Sequence, residues 1–107
     1  MAFFEFRMYR PMPGKIEGWI KIMEEMIIPF QVSKGMVICG SFRGESDDSI
    51  YVWIRRFESE EQRLAQYDAV YSSEWWKDNI APIWQEYHKK EDIVVTRLEA
   101  TPRSPMQ

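Results

Sequence analysis

The sequence predicts an α+β domain of β-α-β-β-α-β order, the split-βαβ, ferredoxin-like arrangement with a four-stranded antiparallel sheet and both helices on one face. Three observations predict it. Apolar residues alternate in four short segments, as half-buried strands require. They recur at spacings of three and four in longer segments between strands one and two and between strands three and four. At 107 residues the chain is the size of one domain.

The first strand runs from Phe3 to Arg10, with Phe4, Phe6 and Met8 on one side and Phe3, Glu5, Arg7 and Tyr9 on the other. Pro11-Met12-Pro13-Gly14 ends it. Ile16, Trp19, Ile20, Met23, Met26, Ile27 and Phe30 then form a helical stripe, and Pro29 predicts a kink or an end near Ile28. Gly35 is placed to close the following turn. Met36 to Arg43 reads as the second strand, with Gly40 as a bulge, and the polar run Gly44 to Ser49 turns it into a third, Ile50 to Phe57.

Ser59 followed by Gln62 is a capping box that opens a helix through about Tyr71. Ser72-Ser73 interrupts it, and Pro82 predicts that Glu74 to Lys90 forms two short pieces. Asp92 to Glu99 is the last strand, in which either Ile93, Val95 and Arg97 or Val94, Thr96 and Leu98 face inward. The domain is expected to span residues 1–100, with 101–107 a loosely held tail.

Composition excludes several classes of function. The net charge of −3, from 14 basic and 17 acidic residues, comes with no basic cluster, so no nucleic-acid partner is expected. A single cysteine, Cys39, leaves no internal disulfide and no multi-cysteine zinc site. No apolar run approaches the roughly 18 residues of a transmembrane segment, and no signal peptide is evident before Phe3. A cytoplasmic location is the expectation. Gly14 and Gly44 read as turn glycines rather than a phosphate loop, the isolated Asp47, Asp48 and Asp92 predict no metal site, and no cofactor is expected.

The sheet faces are the most informative feature. Phe4/Phe6/Met8, Met36/Ile38/Phe42 and Ile50/Val52/Ile54 predict the helix-covered face. The opposite faces, Phe3/Glu5/Arg7/Tyr9, Val37/Cys39/Ser41/Arg43 and Tyr51/Trp53/Arg55/Phe57, mix large aromatics with opposite charges. A surface of that kind marks an interface or a ligand groove, and a second copy of the sheet is its simplest cover. A homodimer with a semi-polar interior follows as the expectation.

At these same residues the chain resembles the NIPSNAP family. Phe4-Glu5-Phe6-Arg7-Met8-Tyr9 is similar to the family's aromatic-Glu-Leu-Arg-x-Tyr opening. Pro13-Gly14, the strand Val52-Trp53-Ile54-Arg55-Arg56-Phe57 leading into Ser59 and Arg63, and the Trp76 to Pro82 segment follow in family order. The resemblance covers residues 3–99 and implies a dimeric α/β barrel, the fold shared with antibiotic-biosynthesis monooxygenases. It also implies an alternative role, a non-catalytic interaction module of the kind linked to vesicle and membrane trafficking. It carries no catalytic residues with it.

The candidate ligand-binding residues are Glu5, Arg7, Tyr9, Tyr51, Trp53 and Arg55, with Arg43 a further cation facing them. Glu5 beside Arg7, with Arg55 across the sheet, reads either as a carboxylate held by guanidinium groups to anchor a ligand or move a proton, or as a structural ion-pair network. Tyr9, Tyr51 and Trp53 read equally as pocket walls or as packing. His88, the only histidine, reads as a haem-iron ligand or as a cation at a helix C-terminus. Cys39 reads as a small buried hydrophobe, and one of the adjacent pair Trp75 and Trp76 is expected to point outward at a cavity mouth. The functional expectation is a small, partly apolar molecule bound in the barrel interior, with a cofactor-free enzyme of a biosynthetic or catabolic pathway as one form of it. The alternatives are the interaction module and, third, haem binding through His88.

Overall fold

A computed structural model describes residues 2–107, with the side chain of Lys90 outside the description. The element order is β1 (Phe3–Tyr9), α1 (Ile16–Ile22), a π-helical turn (Met23–Ile27), α2 (Ile28–Ser33), β2 (Val37–Arg43), β3 (Tyr51–Phe57), α3 (Glu60–Tyr71), α4 (Glu74–Asn79), α5 (Ala81–Tyr87), a 3-10 turn (Lys90–Asp92) and β4 (Ile93–Leu98). The sheet order is β2-β3-β1-β4 with every neighbouring pair antiparallel, the ferredoxin-like α+β arrangement expected from the sequence.

Local chemistry accounts for the element ends. The Ser59 side chain accepts from the Gln62 backbone N–H, and the Gln62 side chain accepts from the Glu58 N–H, so two orphan donors at the start of α3 are satisfied. Ser73 caps α4 in the same manner, and Pro82 stands in the first turn of α5, where its missing N–H costs nothing. Gly35 closes α2 at φ +93°, a conformation that favours glycine.

Of the kink or end that Pro29 predicts near Ile28, the helix after β1 shows no end but an irregularity, and it continues as α2. The turn Met23–Ile27 widens, and the Ile28 N–H reaches the carbonyl of Met23, five residues back. That widening lets the helix run through a proline whose ring would otherwise press on the preceding turn.

The largest correction concerns the sheet faces. Tyr51, Trp53, Arg55 and Phe57 are buried on alternate positions of β3, and Glu5 and Tyr9 are buried on β1. The mixed aromatic and charged face therefore lies beneath the chain's own helices. The uniformly apolar face, Phe6/Met8 with Val52/Ile54, is the one they leave open, continued by Phe42 at 53 %, Val94 at 49 % and Leu98 at 44 % exposure, while Phe4 on the same face is buried beside the segment that follows β4. The strict alternation expected for β2 breaks where the register slips between Ile38 and Gly40. Ile38 consequently packs with the helix-side core while Phe42 lies on the open face. On β4 the pairing of Glu5 with Arg97, Arg7 with Val95 and Tyr9 with Ile93 puts Ile93, Val95 and Arg97 on the helix side.

The core has two parts. Trp19, Met23, Ile27 and Ile80 from the helices close on Tyr9, Tyr51 and Trp53, while Val70 closes on Phe3, Met36 and Phe57. Where the sequence predicts a loosely held tail, Arg56 Nε donates to the Gln107 carbonyl at 2.8 Å, and Gln107 Nε2 donates to the carbonyls of Thr101 and Ser104.

Candidate functional site

Between the two core clusters, β1, β3 and α3 bring a carboxylate and three guanidinium groups together. Glu5 and Arg55 face each other across the β1–β3 pair and are both fully buried. Arg55 Nη2 donates to Glu5 Oε1 at 2.6 Å, and Arg63 Nε, from the first turns of α3, donates to Oε2 at 2.8 Å. Tyr67, one turn further along α3, donates its hydroxyl to the same carboxylate at 2.7 to 2.8 Å and accepts from Arg55 at 2.6 Å. Tyr71, one turn on again, accepts from Arg55 Nη1 at 2.8 Å and from Gln31 Nε2 at 3.3 Å. Burial alone would raise the Glu5 carboxyl, but Arg55 beside it and the bonds from Arg63 and Tyr67 outweigh burial and hold it at about 2. A carboxylate so stabilised is a poor proton acceptor, so its role is to hold its neighbours.

Arg7 is the least neutralised of the group. Its contact to Glu5 is 3.5 Å, longer than those of Arg55 and Arg63, and its Nε donates to Tyr9 Oη at 3.0 Å. Arg7 borders a cavity of about 250 Å3 between the sheet and the helices, walled by Tyr9, Trp19, Trp53, Tyr67, Tyr71, Trp76 and Trp84, with Met23 and Ile27 of the π-helical turn. Among the described residues that line it, the ionisable side chains are Arg7 and three phenols. Burial pushes the Tyr9 and Tyr67 hydroxyls up, Tyr67 to about 12, so both keep their protons at neutral pH.

The six residues singled out in the sequence divide into two layers. Arg7, Tyr9 and Trp53 line the cavity. Glu5 and Arg55 stand behind it, and Tyr51 lies beside Tyr9 with its hydroxyl 2.6 Å from Ser41 Oγ. Arg43 does not join them; it reaches Glu17 on α1 at 2.7 Å. The cover is the chain's own helices, and the cavity keeps an opening to its surroundings.

Sequence reasoning missed the α3 contribution. Arg63, Tyr67 and Tyr71 recur every four residues, which puts them on one helix face. Leu64 of the same helix is exposed at 57 %, so the polar aromatic stripe and not the leucine faces the sheet. Trp75 does not point outward; it stacks on Phe30 with ring centroids 4.2 Å apart, while Trp76 lines the cavity and packs on Tyr71.

His88 lies just past α5, in extended backbone, and not as an exposed cation. Its ring packs against Trp19, Trp84 and Tyr9, and neither nitrogen has a hydrogen-bond partner among the described residues. Burial lowers its pKa to about 4, which keeps the imidazole neutral. Iron reaching either nitrogen would first have to displace these rings. Cys39 is half-buried at the β2 irregularity, and burial raises its thiol, which lowers the share of reactive thiolate. Among the described residues no group of three or more His, Cys, Asp or Glu side chains is placed to hold a metal ion, and no helix is long and apolar enough to cross a membrane.

The sequence matches no protein-family model and no curated protein. Solved structures do match. A NIPSNAP family protein from Agrobacterium tumefaciens is 19 % identical, with a TM-score of 0.87 over 100 % of both chains. An uncharacterised NIPSNAP domain protein from Burkholderia xenovorans is 19 % identical, with a TM-score of 0.83 over 96 % of this chain and 98 % of that one. An antibiotic-biosynthesis-monooxygenase-like protein from Caulobacter crescentus is more distant, at 13 % identity and a TM-score of 0.68 over 94 % of this chain and 90 % of that one. From Phe3 to the end of β4, the chain has the fold of the NIPSNAP family structures.

Proposed function

We propose that this chain is a NIPSNAP-family protein that binds a small, partly apolar molecule in the cavity between its sheet and its helices. The cavity itself carries this reading. The space beneath helices is normally filled to crystal-like density. Here about 250 Å3 stays open among four tryptophans and three tyrosines. That is smaller than the roughly 300–1,000 Å3 of drug-sized pockets. It is larger than the roughly 150 Å3 apolar cavity that accepts benzene in an engineered protein. A single ring with one short substituent fits.

Binding is favoured over turnover because the lining offers donors and ring faces, while Glu5 is committed to Arg55, Arg63 and Tyr67 and His88 is walled in. Titration with ethylbenzene tests the reading through the tryptophans that line the cavity. A saturable change in emission is expected, and emission left unchanged by this and by polar-headed single-ring probes alike would contradict it.

A second copy of the chain is proposed to cover the open sheet face. Phe42, Val94 and Leu98 are exposed there beside Phe6, Met8, Val52 and Ile54. Light scattering coupled to gel filtration is expected to give twice the 12.9 kDa chain mass, and Phe42→Asp with Val94→Lys is expected to return it to 12.9 kDa. A wild-type mass of one chain would overturn the pairing, while the cavity, whose named walls come from one chain, would still be there to bind. The same apolar face is what an interaction module would use, and a monomer that retains no small molecule would shift the function there.

A further inference from the structure

The hydrogen bonds around the cavity are unbalanced in one direction. Tyr9 Oη accepts from Arg7 Nε at 3.0 Å and from Trp53 Nε1 at 3.1 Å. Both partners are N–H groups that can only donate, so the Tyr9 hydroxyl proton has no acceptor among the described residues. Tyr71 repeats the pattern, since its oxygen accepts from Arg55 Nη1 and Gln31 Nε2 and its own proton is left over. Arg7 uses Nε and Nη1, and its Nη2 has no partner among the described residues. All three side chains line the cavity, and no lining residue carries a carboxylate or an amide.

Charge is unbalanced in the same direction. Glu5 is the one carboxylate shared by Arg7, Arg55 and Arg63, and its two oxygens are taken up at short range by Arg55, Arg63 and Tyr67. Arg63 and Arg97 turn outward to Glu60, but among the described residues Arg7 has only the 3.5 Å carboxylate contact to Glu5. A guanidinium among aromatic rings whose carboxylate, 3.5 Å away, is already held more closely by Arg55 and Arg63 is incompletely neutralised. The missing component is an acceptor that brings negative charge with it.

We propose that the molecule held in this cavity is a carboxylate, its two oxygens received by Arg7 and by the hydroxyls of Tyr9 and Tyr71, and its single-ring or similarly small apolar body lying among Trp19, Trp53, Trp76 and Trp84. The proposal rests on the binding reading above and adds the chemical class. Planar, charge-assisted bonds from a guanidinium suit a carboxylate better than an amide or an alcohol.

The test uses three probes with the same phenylethyl body at pH 7: 3-phenylpropanoate, its neutral isostere 3-phenylpropanamide, and ethylbenzene, which lacks the head group, each titrated calorimetrically into the wild-type protein. The acid is expected to bind about tenfold or more tightly than the amide. In Arg7→Met the acid is expected to fall to the level of the amide while ethylbenzene is unchanged. Tyr71→Phe, which keeps the ring, is expected to weaken the acid several-fold and leave ethylbenzene alone; it serves if Arg7→Met does not fold. Equal affinities of acid and amide, or ethylbenzene binding without the acid, would overturn the carboxylate and leave the cavity reading standing. Failure of all three probes would overturn both.

Discussion

Glu5→Gln is expected to cost about 3–5 kcal/mol of folding stability, because it leaves a buried cation without its counter-charge. Arg55 has no exposed surface, and its Nη2 is held at 2.6 Å from the Glu5 carboxylate. Its remaining partners, Gln31, Met36, Tyr67 and Tyr71, are neutral. Removing the charge at Glu5 also deprives Arg63 of its buried partner and Arg7 of its only carboxylate contact among the described residues. Urea denaturation followed by tryptophan emission measures the loss. A change below about 1 kcal/mol would mean that water reaches the guanidinium groups, since exposed ion pairs contribute no more than that. Arg55→Met is expected to be milder than Glu5→Gln, because Arg63 and Tyr67 still satisfy the carboxylate it leaves behind.

Acid is expected to destabilise the protein in two steps, beginning well above the range in which carboxylates titrate. His88 has its pKa lowered by burial from 6.5 to about 4. Above pH 6.5 neither the folded nor the unfolded chain carries this proton. Between 6.5 and 4 the unfolded chain takes it up and the folded chain does not, so stability falls as the pH falls and levels off below 4. The full step is about 3 kcal/mol at 1.36 kcal/mol per pH unit. Glu5 supplies the second step, since its carboxyl is held at about 2 against 4.5; the stability it contributes is complete above 4.5 and is lost as the pH falls towards 2. His88→Phe separates the two. Phenylalanine suits the cage of Trp19, Trp84 and Tyr9 and removes two buried nitrogens without partners. The variant is expected to lose the slope between pH 6.5 and 4 and keep the one below 4.5. An unchanged upper slope in His88→Phe would assign that proton to another group.

Element order was legible because it is written in short-range chemistry: alternation in β1 and β3, the Ser59–Gln62 capping box, and the proline that divides α4 from α5. The orientation of the sheet was not. Phe4, Phe6 and Met8 look like the inside of a protein, and Glu5 and Arg7 look like an interface. The helix side is instead the mixed face, because Arg63, Tyr67 and Tyr71 on α3 satisfy the Glu5 and Arg55 side chains there. A two-residue period shows that two faces exist, and long-range hydrogen bonds decide which one is covered.

The candidate site was partly legible for the same reason. Arg7, Tyr9 and Trp53 stood out on strands, where alternation aligns side chains directly. Trp19, Met23 and Ile27 read as an ordinary core stripe, which they also are; that they border a void depends on how the helix with its π-helical turn sits on the sheet. Tyr67 and Tyr71 carried a signal in their four-residue spacing from Arg63. That spacing becomes meaningful once the carboxylate it serves is placed opposite.

The central claim is that the cavity beneath the helices holds a small molecule, and native mass spectrometry of the protein purified without added ligand tests it most directly. The expected spectrum contains each 12.9 kDa chain with one additional small mass, released by unfolding in acid and absent from a variant in which Met23→Trp fills the space. Bare chains throughout, together with ethylbenzene binding as strongly to Met23→Trp as to wild type, would contradict it.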